Sequence, residues 1–212
     1  GNVTIRHSTI TFNTANSDSN GTESGSGVFV TSTQSNVTLD HTIVAKNSRL
    51  GSASTRNDVS GPVVASSAFN LIGVDTGLTG ISNGTNGNQI GTGASPIDPL
   101  IHNLADNGGP TPTHASRFDS PAIDAGHSGG AMTDQRGLPR PIEDPNTPNA
   151  ASGDGSDIGA CSMGTSTCVD GGAAASEPGR FGSARTSPIW LRLMSATPPT
   201  LSYVHIASNN TL

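Results

Sequence analysis

Asn2-Val3-Thr4-Ile5-Arg6-His7 and Asn36-Val37-Thr38-Leu39-Asp40-His41 are two copies of one pattern set 34 residues apart, and each copy runs on to an asparagine, Asn13 and Asn47. Apolar and polar residues alternate in both, through Val3, Ile5 and Ile10 in the first and Val37, Leu39 and Ile43 in the second. Alternation with a period of two marks a strand with one buried face. Repetition at a fixed spacing marks units that stack and share a core. Between the copies, residues 17–27 are rich in Gly, Ser and Asn and read as a loop, after which Val28-Phe29-Val30 reads as a further short strand. Such a unit holds two or three short strands and no helix of about ten residues, which predicts a β-solenoid coil. The asparagines that close the strands fit stacked turns, where an amide can both donate and accept along the stack. Asn also tolerates left-handed turn conformations, and both roles are structural.

Composition agrees. Of 212 residues 27 are Gly, charged residues are 12% and aromatic residues 3%, against about 25% charged in an ordinary globular chain. A coiled coil or helical bundle would need far more Leu, Glu and Lys, and Lys46 is the single lysine. The net charge of −6 and the scattered arginines exclude a nucleic-acid surface, which needs clustered positive charge. No run approaches the roughly 18 apolar residues of a membrane-spanning helix. Residues 1–12 do not read as a signal peptide, and a strand already under way at Asn2 is expected to continue a longer chain. Cys161 and Cys168 are too few for a disulfide scaffold and lack zinc-site spacing; idle thiols and a single bridge both stay open.

Beyond Asp58 the repeat loosens, yet apolar triplets persist at Val63-Val64-Ala65, Pro99-Leu100-Ile101, Pro121-Ala122-Ile123 and Ile158-Gly159-Ala160. Each predicts one inward-facing strand of a coil, with turn-rich excursions between them. The expected plan is therefore repeated coils over 1–75, terminal coils with loop excursions over 76–163, and a low-complexity, disordered tail over 164–212. The tail differs in charge: residues 171–212 carry three basic and one acidic side chain, where residues 1–170 carry seven and fifteen.

Six motifs occur in order between residues 70 and 160: NLIG (70–73), SPIDPL (95–100), LADNGGPTPTHA (104–115), SPAIDAG (120–126), TDQRGLPRP (133–141) and SDIGA (156–160). Together they resemble the C-terminal part of the bacterial choice-of-anchor Q domain proteins, and the upstream repeats resemble that family's coils. The resemblance covers about residues 1–163. It implies a right-handed parallel β-helix and an extracellular or cell-surface location, and it implies no catalytic site. Cys161 departs from the family's usual aromatic or aliphatic residue, and the tail resembles none of its anchoring ends.

Glycoside hydrolysis needs two carboxylates across the scissile bond, for which Asp124 with Asp134, or Asp154 with Asp157, are the available pairs. All four sit in tight turn motifs, where Asp is a common turn former. A uronate lyase would want clustered Arg and Lys, and no Trp or Tyr precedes residue 190 to serve as a sugar platform. A Ser/His/Asp set through His114 and Asp124 lacks a nucleophile elbow. His7 and His41 occupy equivalent repeat positions and either stack as imidazoles or hold a metal. No cofactor is expected; calcium at Asp154–Asp157 is the one ion considered, and the run lacks a calcium loop's ligand pattern.

The resulting expectation is an all-β, right-handed parallel β-helix that is not an enzyme. It would be a monomeric, exported surface or adhesive module whose Ser/Thr/Asn-rich loops meet an unidentified surface ligand or glycan. The alternative is part of a carbohydrate-active β-helix with its catalytic coils upstream. Asp124, Asp134, Arg136 and Asp157 are expected to be structural, with Arg136 pairing a carboxylate of Asp124, Asp134 or Asp157 to pin its loop.

Overall fold

A computed structural model describes residues 1–15, 26–30, 36–49 and 55–163; the tail expected over 164–212 lies outside the described residues. The described part is all-β: its strands pair in parallel except at one short pair, four of its five isolated bridges are antiparallel, and its one helical element is a 3-10 turn at Thr85–Gly87. The strands are β1 (Asn2–Arg6), β2 (Thr9–Thr11), β3 (Thr14–Ala15), β4 (Val28–Phe29), β5 (Asn36–Asp40), β6 (Ile43–Ala45), β7 (Ser48–Arg49), β8 (Thr55–Arg56), β9 (Val59–Pro62), β10 (Leu71–Ile72), β11 (Leu78–Thr79) and β12 (Gln89–Ile90).

The repeat offset is the register of the stack. β1 lies on β5 with Asn2 opposite Asn36, Val3 opposite Val37 and Ile5 opposite Leu39, and β2 and β3 lie on β6 and β7 at the same displacement. β6 then takes β10, which takes β12, while β4, β9 and β11 make a further parallel stack. β8 turns back antiparallel onto β7.

Left-handed corners make the stacking possible. His7, His41, Phe69 and Gly87 have φ of 46°, 52°, 51° and 69°, and each stands two residues before a strand of the β2–β6–β10–β12 sheet. Bulky residues rarely adopt this conformation, so its recurrence on four levels is a property of the corner. The residue after each corner is polar, Ser8, Thr42, Asn70 and Asn88, and the last three are buried. There Asn88 Oδ1 accepts from the amide and Nδ2 of Asn70 (3.1 and 2.8 Å), and Asn70 Oδ1 accepts from the Thr42 amide (3.1 Å). A second corner, with φ of 57° at Phe12 and 60° at Lys46, precedes Asn13 and Asn47. Asn47 Oδ1 accepts from the amide and Nδ2 of Asn13 (3.1 and 2.9 Å), and Asp58 Oδ1 accepts the same pair of donors from Asn47 (2.9 and 3.0 Å).

Alternation sorts the side chains into two cores. Ile10, Val44, Ile72 and Ile90 face inward with Val28, Val37, Leu39 and Val59. Their neighbours Ile43, Ala45 and Leu71 face the other way, into a second cluster with Ile101, Ala122 and Ile158. That sheet is apolar on both faces, and residues 91–163 cover its outer one. Gly159 donates to the His41 carbonyl (2.9 Å), Ala160 to Thr9 Oγ1 (3.1 Å), and Gln89 Nε2 to the Pro121 carbonyl (2.8 Å).

This corrects the strands expected at three of the later triplets. Over residues 76–163 only β11 and β12 stack as strands; Pro99–Ile101, Pro121–Ile123 and Ile158–Ala160 lie in the strandless cover, joined by isolated bridges and turns. Their composition gives the reason. Proline cannot donate to a ladder, and Gly159, at φ 106°, runs so close to Ile43 and Thr9 that a Cβ would lie 2.9 Å from each. Among the described residues no helix is long and apolar enough to cross a membrane.

Burial predicts graded costs along the repeat. Leu39 in β5 is wholly buried, whereas Val3 in β1 is half-buried. Leu39→Ala should cost about 3 kcal/mol and Val3→Ala less than about 1 kcal/mol. Asn47→Ala should cost at least as much as Leu39→Ala, about 3 kcal/mol, because it strands donors of Asn13 and an oxygen of Asp58 at once. Urea unfolding of the three variants measures the order, and a Val3→Ala loss equal to that of Leu39→Ala would refute the graded burial.

Candidate functional site

The four residues singled out from the sequence are all buried in the cover. Asp134 and Arg136 form one unit: Arg136 Nε and Nη2 donate to Asp134 Oδ2 at 2.9 and 2.6 Å. Asp134 Oδ1 accepts from the amides of Arg136 and Leu138 (2.8 and 3.2 Å), which closes the turn completed by Gly137 at φ 82°. Oδ2 also takes the Ser162 amide (3.1 Å) while Arg136 Nη2 takes the Ser162 carbonyl (2.6 Å). The pair thus holds the turn to the end of the described chain, and Asp134 is the carboxylate that Arg136 uses. A buried ion pair of this kind is held by its extra hydrogen bonds as much as by Coulomb attraction.

Asp157 and Asp124 work on backbone. Asp157 accepts from the amides of Asp124 (2.9 Å, on Oδ1) and Met163 (on Oδ2). Burial pushes the Asp157 carboxyl up to about 6 against those bonds. Asp124 Oδ2 accepts from the Asp144 amide (3.0 Å) and its carbonyl from the Ala150 amide (2.9 Å), so it pins the 142–150 loop. Burial raises its pKa, with the charges of Asp144 and Glu143 adding.

Sequence reasoning missed Arg140, counting it only among scattered basic residues. It is buried, and its Nη1 and Nη2 donate to the carbonyls of Asp157 and Gly159 at 2.8 Å each. Its spacing from Arg136 carried no periodic signal, because the intervening turn is irregular. Nη1 also stands 3.3 Å from His7 Nδ1. Since a guanidinium only donates, His7 Nδ1 accepts, which leaves the ring proton on Nε2 to donate to the Ser128 carbonyl (2.9 Å).

His7 opens a column of rings. It stacks on His41 at 4.8 Å and 13°, and His41 on Phe69 at 5.4 Å and 20°. Burial, with Arg140 and His41 beside it, pushes His7 down to about 4; burial does the same to His41 although Asp40 opposes it. Parallel rings direct their nitrogens along separate planes, so the equivalent positions give a stack. Among the described residues no group of three or more His, Cys, Asp or Glu is placed to hold a metal ion.

The remaining candidates separate. Asp154 accepts from the Ser128 amide on both oxygens (3.0 and 2.9 Å) and from the Ser156 amide (3.2 Å). Burial would raise it, but those bonds outweigh burial and hold it at about 2. Asp154 and Asp157 therefore serve different loops and do not converge as calcium ligands. His114 Nδ1 lies 2.8 Å from the His102 carbonyl, a contact to backbone. Cys161 is buried, and Cys168, with the question of a bridge, lies outside the described residues. What these groups do chemically is hold loops: carboxylates take amides and guanidiniums take carbonyls. No family model, curated protein or solved structure matches this chain.

Asp134→Ala should cost about 3 kcal/mol or more, since it leaves the Arg136 charge buried without its partner; a urea midpoint within error of the parent would refute the brace. The titrating groups also make a pH prediction. His7 and His41 sit near 4, below their ordinary 6.5, so the unfolded chain takes protons first and stability falls as pH drops from 6.5 towards 4. Asp58 and Asp157 sit near 6, above 3.8, so the native chain takes protons first and stability falls as pH rises from 4 to 6. The two effects oppose, and the parent should be nearly flat across that window. His41→Phe, which repeats the ring found at Phe69, removes one histidine contribution, on the order of 2 kcal/mol. Its stability should decline from pH 4 to 6. Urea melts at pH 4, 5 and 6 that run parallel for the two proteins would refute the opposition.

Proposed function

We propose that the chain is a right-handed parallel β-helix of the choice-of-anchor Q type, acting outside the cell as a non-enzymatic surface or adhesive module. One observation carries this reading: four of the six motifs that make the resemblance place residues at the seam between sheet and cover. NLIG supplies Asn70 to the corner ladder and Leu71 to the outer core, SPAIDAG supplies Ala122 and Asp124, TDQRG supplies Asp134 and Arg136, and SDIGA supplies Asp157 and Ile158. A signature made of such residues is a signature for holding loops over a sheet.

The proposal assigns the buried carboxylates to structure and the exposed turns to contact with a partner. Asp124, Asp134 and Asp157 are occupied by backbone amides or by Arg136. The turns at 82–86, 92–96 and 108–112, rich in Ser, Thr, Asn and Gly, lie exposed. Polar hydroxyl- and amide-bearing turns on a rigid scaffold suit recognition of a glycan or another surface ligand.

Incubating the full chain on a glycan array, and separately with uronate-containing and neutral polysaccharides, tests this. Saturable retention on a glycan with no new reducing ends and no unsaturated product is the expected result. Product that accumulates with time, and is lost in Asp124→Asn or Asp157→Asn variants that still fold, would overturn it in favour of a carbohydrate-active enzyme.

A further inference from the structure

We propose that His127 is a proton-operated latch: its neutral ring holds the 128–130 turn against the ring column, and its protonated ring lets that turn go and pairs with Asp154 instead. His127 Nδ1 has two neighbours that ask opposite things of it. The Gly129 amide donates to it at 2.9 Å, which requires a nitrogen without a proton. Asp154 Oδ2 stands 3.7 Å away, too far to hydrogen-bond a neutral ring and near enough to draw in an imidazolium. One nitrogen cannot serve both. A proton arriving on Nδ1 sets its N–H against that of Gly129 and towards the carboxylate.

The surroundings confine the change to this one bond. Asp154 accepts the Ser128 amide on both oxygens (3.0 and 2.9 Å), and those bonds hold its carboxyl at about 2, so it stays charged wherever imidazole titrates. The Ser128 carbonyl accepts from His7 Nε2 and from the Ala131 amide, each at 2.9 Å. His7, pushed down to about 4 by burial, stays neutral while that contact lasts. The rings of His41 and Phe69 flank His127 at 6.2 and 6.0 Å. Burial takes His41 down to about 4 as well, with Asp40, Arg6 and Arg140 as the further charges around it. His127, by contrast, has a side chain 43% exposed and open to solvent protons.

The turn that the latch holds lies on the column itself. A Cβ at Gly129 would stand 3.4 Å from His41 Nε2 and 3.9 Å from Arg6 Nη1. Gly129 and Gly130 are exposed and have φ of 55° and 84°, a conformation glycine leaves as readily as it enters. The one side-chain contact of the Gly130 amide, to Ser128 Oγ, is long at 3.4 Å. Once the Gly129 bond is given up, little local bonding keeps the turn in place, and the edge of the His41 ring is bared to solvent. The inference rests on this geometry alone and holds or fails independently of any glycan binding.

The test is an NMR titration of the full, isotope-labelled chain from about pH 8 to about pH 5, the range in which imidazole changes charge. Protection of the Gly129 amide, corrected for the intrinsic pH dependence of exchange, should fall several-fold with the midpoint of the His127 ring's own titration. The Asp154 carboxyl carbon should shift with the same midpoint, while the Ser128 amide and the amides of β6 keep their protection. His127→Phe keeps a ring beside His41 and Phe69 and removes the acceptor, so its Gly129 amide should exchange freely across the whole range. Constant protection of Gly129 while the His127 ring titrates would overturn the proposal, as would an Asp154 signal indifferent to that titration. So would protection lost together at Gly129 and throughout β6, which is unfolding and not a latch, or a folded His127→Phe chain that still protects Gly129. The parent's titration decides by itself if the variant does not fold.

Discussion

A chain that bends sharply between stacked strands sets backbone amides and carbonyls free at each bend, inside the protein and out of reach of the ladder. Everything else depends on how those groups are paired, since an unpaired buried amide costs as much as a lost hydrogen bond. Here the side-chain amide of one level takes the amide of the next. Asn47 meets the needs of Asn13 and of the Ile10 and Ala45 carbonyls at once. Asn70 and Asn88 do the same at the other corner. Only a group that both donates and accepts can continue such a chain. Asp58 ends it: a carboxylate accepts from Asn47 on one oxygen and from Val74 on the other, and donates nothing onward.

The cover meets the same need without a ladder. Residues 91–163 must lie on an apolar sheet face while having no strand partners of their own, and the chain has few aromatic side chains with which to anchor them. Acidic and guanidinium groups do the pairing instead: Asp134, Asp154 and Asp157 each accept from two or more backbone amides, Arg140 donates to two carbonyls, and Asp124 accepts from one amide. Removing such charges from water is costly, and the hydrogen bonds they collect must offset it. Asp157 shows the balance: two amide bonds and nearby Arg140 still leave its carboxyl raised to about 6. These charges hold irregular backbone over a sheet that a regular element would otherwise have to cover.

The stack was legible in the sequence and the cover was not, for a physical reason. Val3 over Val37, Ile5 over Leu39 and Asn13 over Asn47 follow from one offset, because stacking in register demands the same residue type at the same step. The partnership of Asn70 with Asn88 escaped notice because their spacing is 18, the intervening excursion having shortened to a few turns. In the cover, Ile101, Ala122 and Ile158 have the composition of strand centres, and composition cannot say which face of a sheet they meet. That Arg136 needs a carboxylate follows from its place in a tight turn, with Asp124, Asp134 and Asp157 as the candidates. That Arg140 needs carbonyls does not, since its partners belong to residues 157 and 159 and are backbone.

Arg140 also explains why the ring column is not uniform. A column of stacked rings needs only flatness, and at the third level Phe69 serves as well as an imidazole. At the first level the ring must in addition accept from Arg140 and donate to the Ser128 carbonyl, and both are contacts to the cover. Only neutral imidazole does both at once, since phenyl does neither and imidazolium would set an N–H against the guanidinium. Burial beside Arg140 keeps His7 neutral well below ordinary pH, so the contact that ties the first strand level to the cover does not compete with protonation. His41 lies one level down, where its Nδ1 has no hydrogen-bond partner among the described residues; its ring serves the stack alone. The same residue type at equivalent positions of a repeat thus has two different reasons to be there, one set by stacking and the other by the loop laid over it.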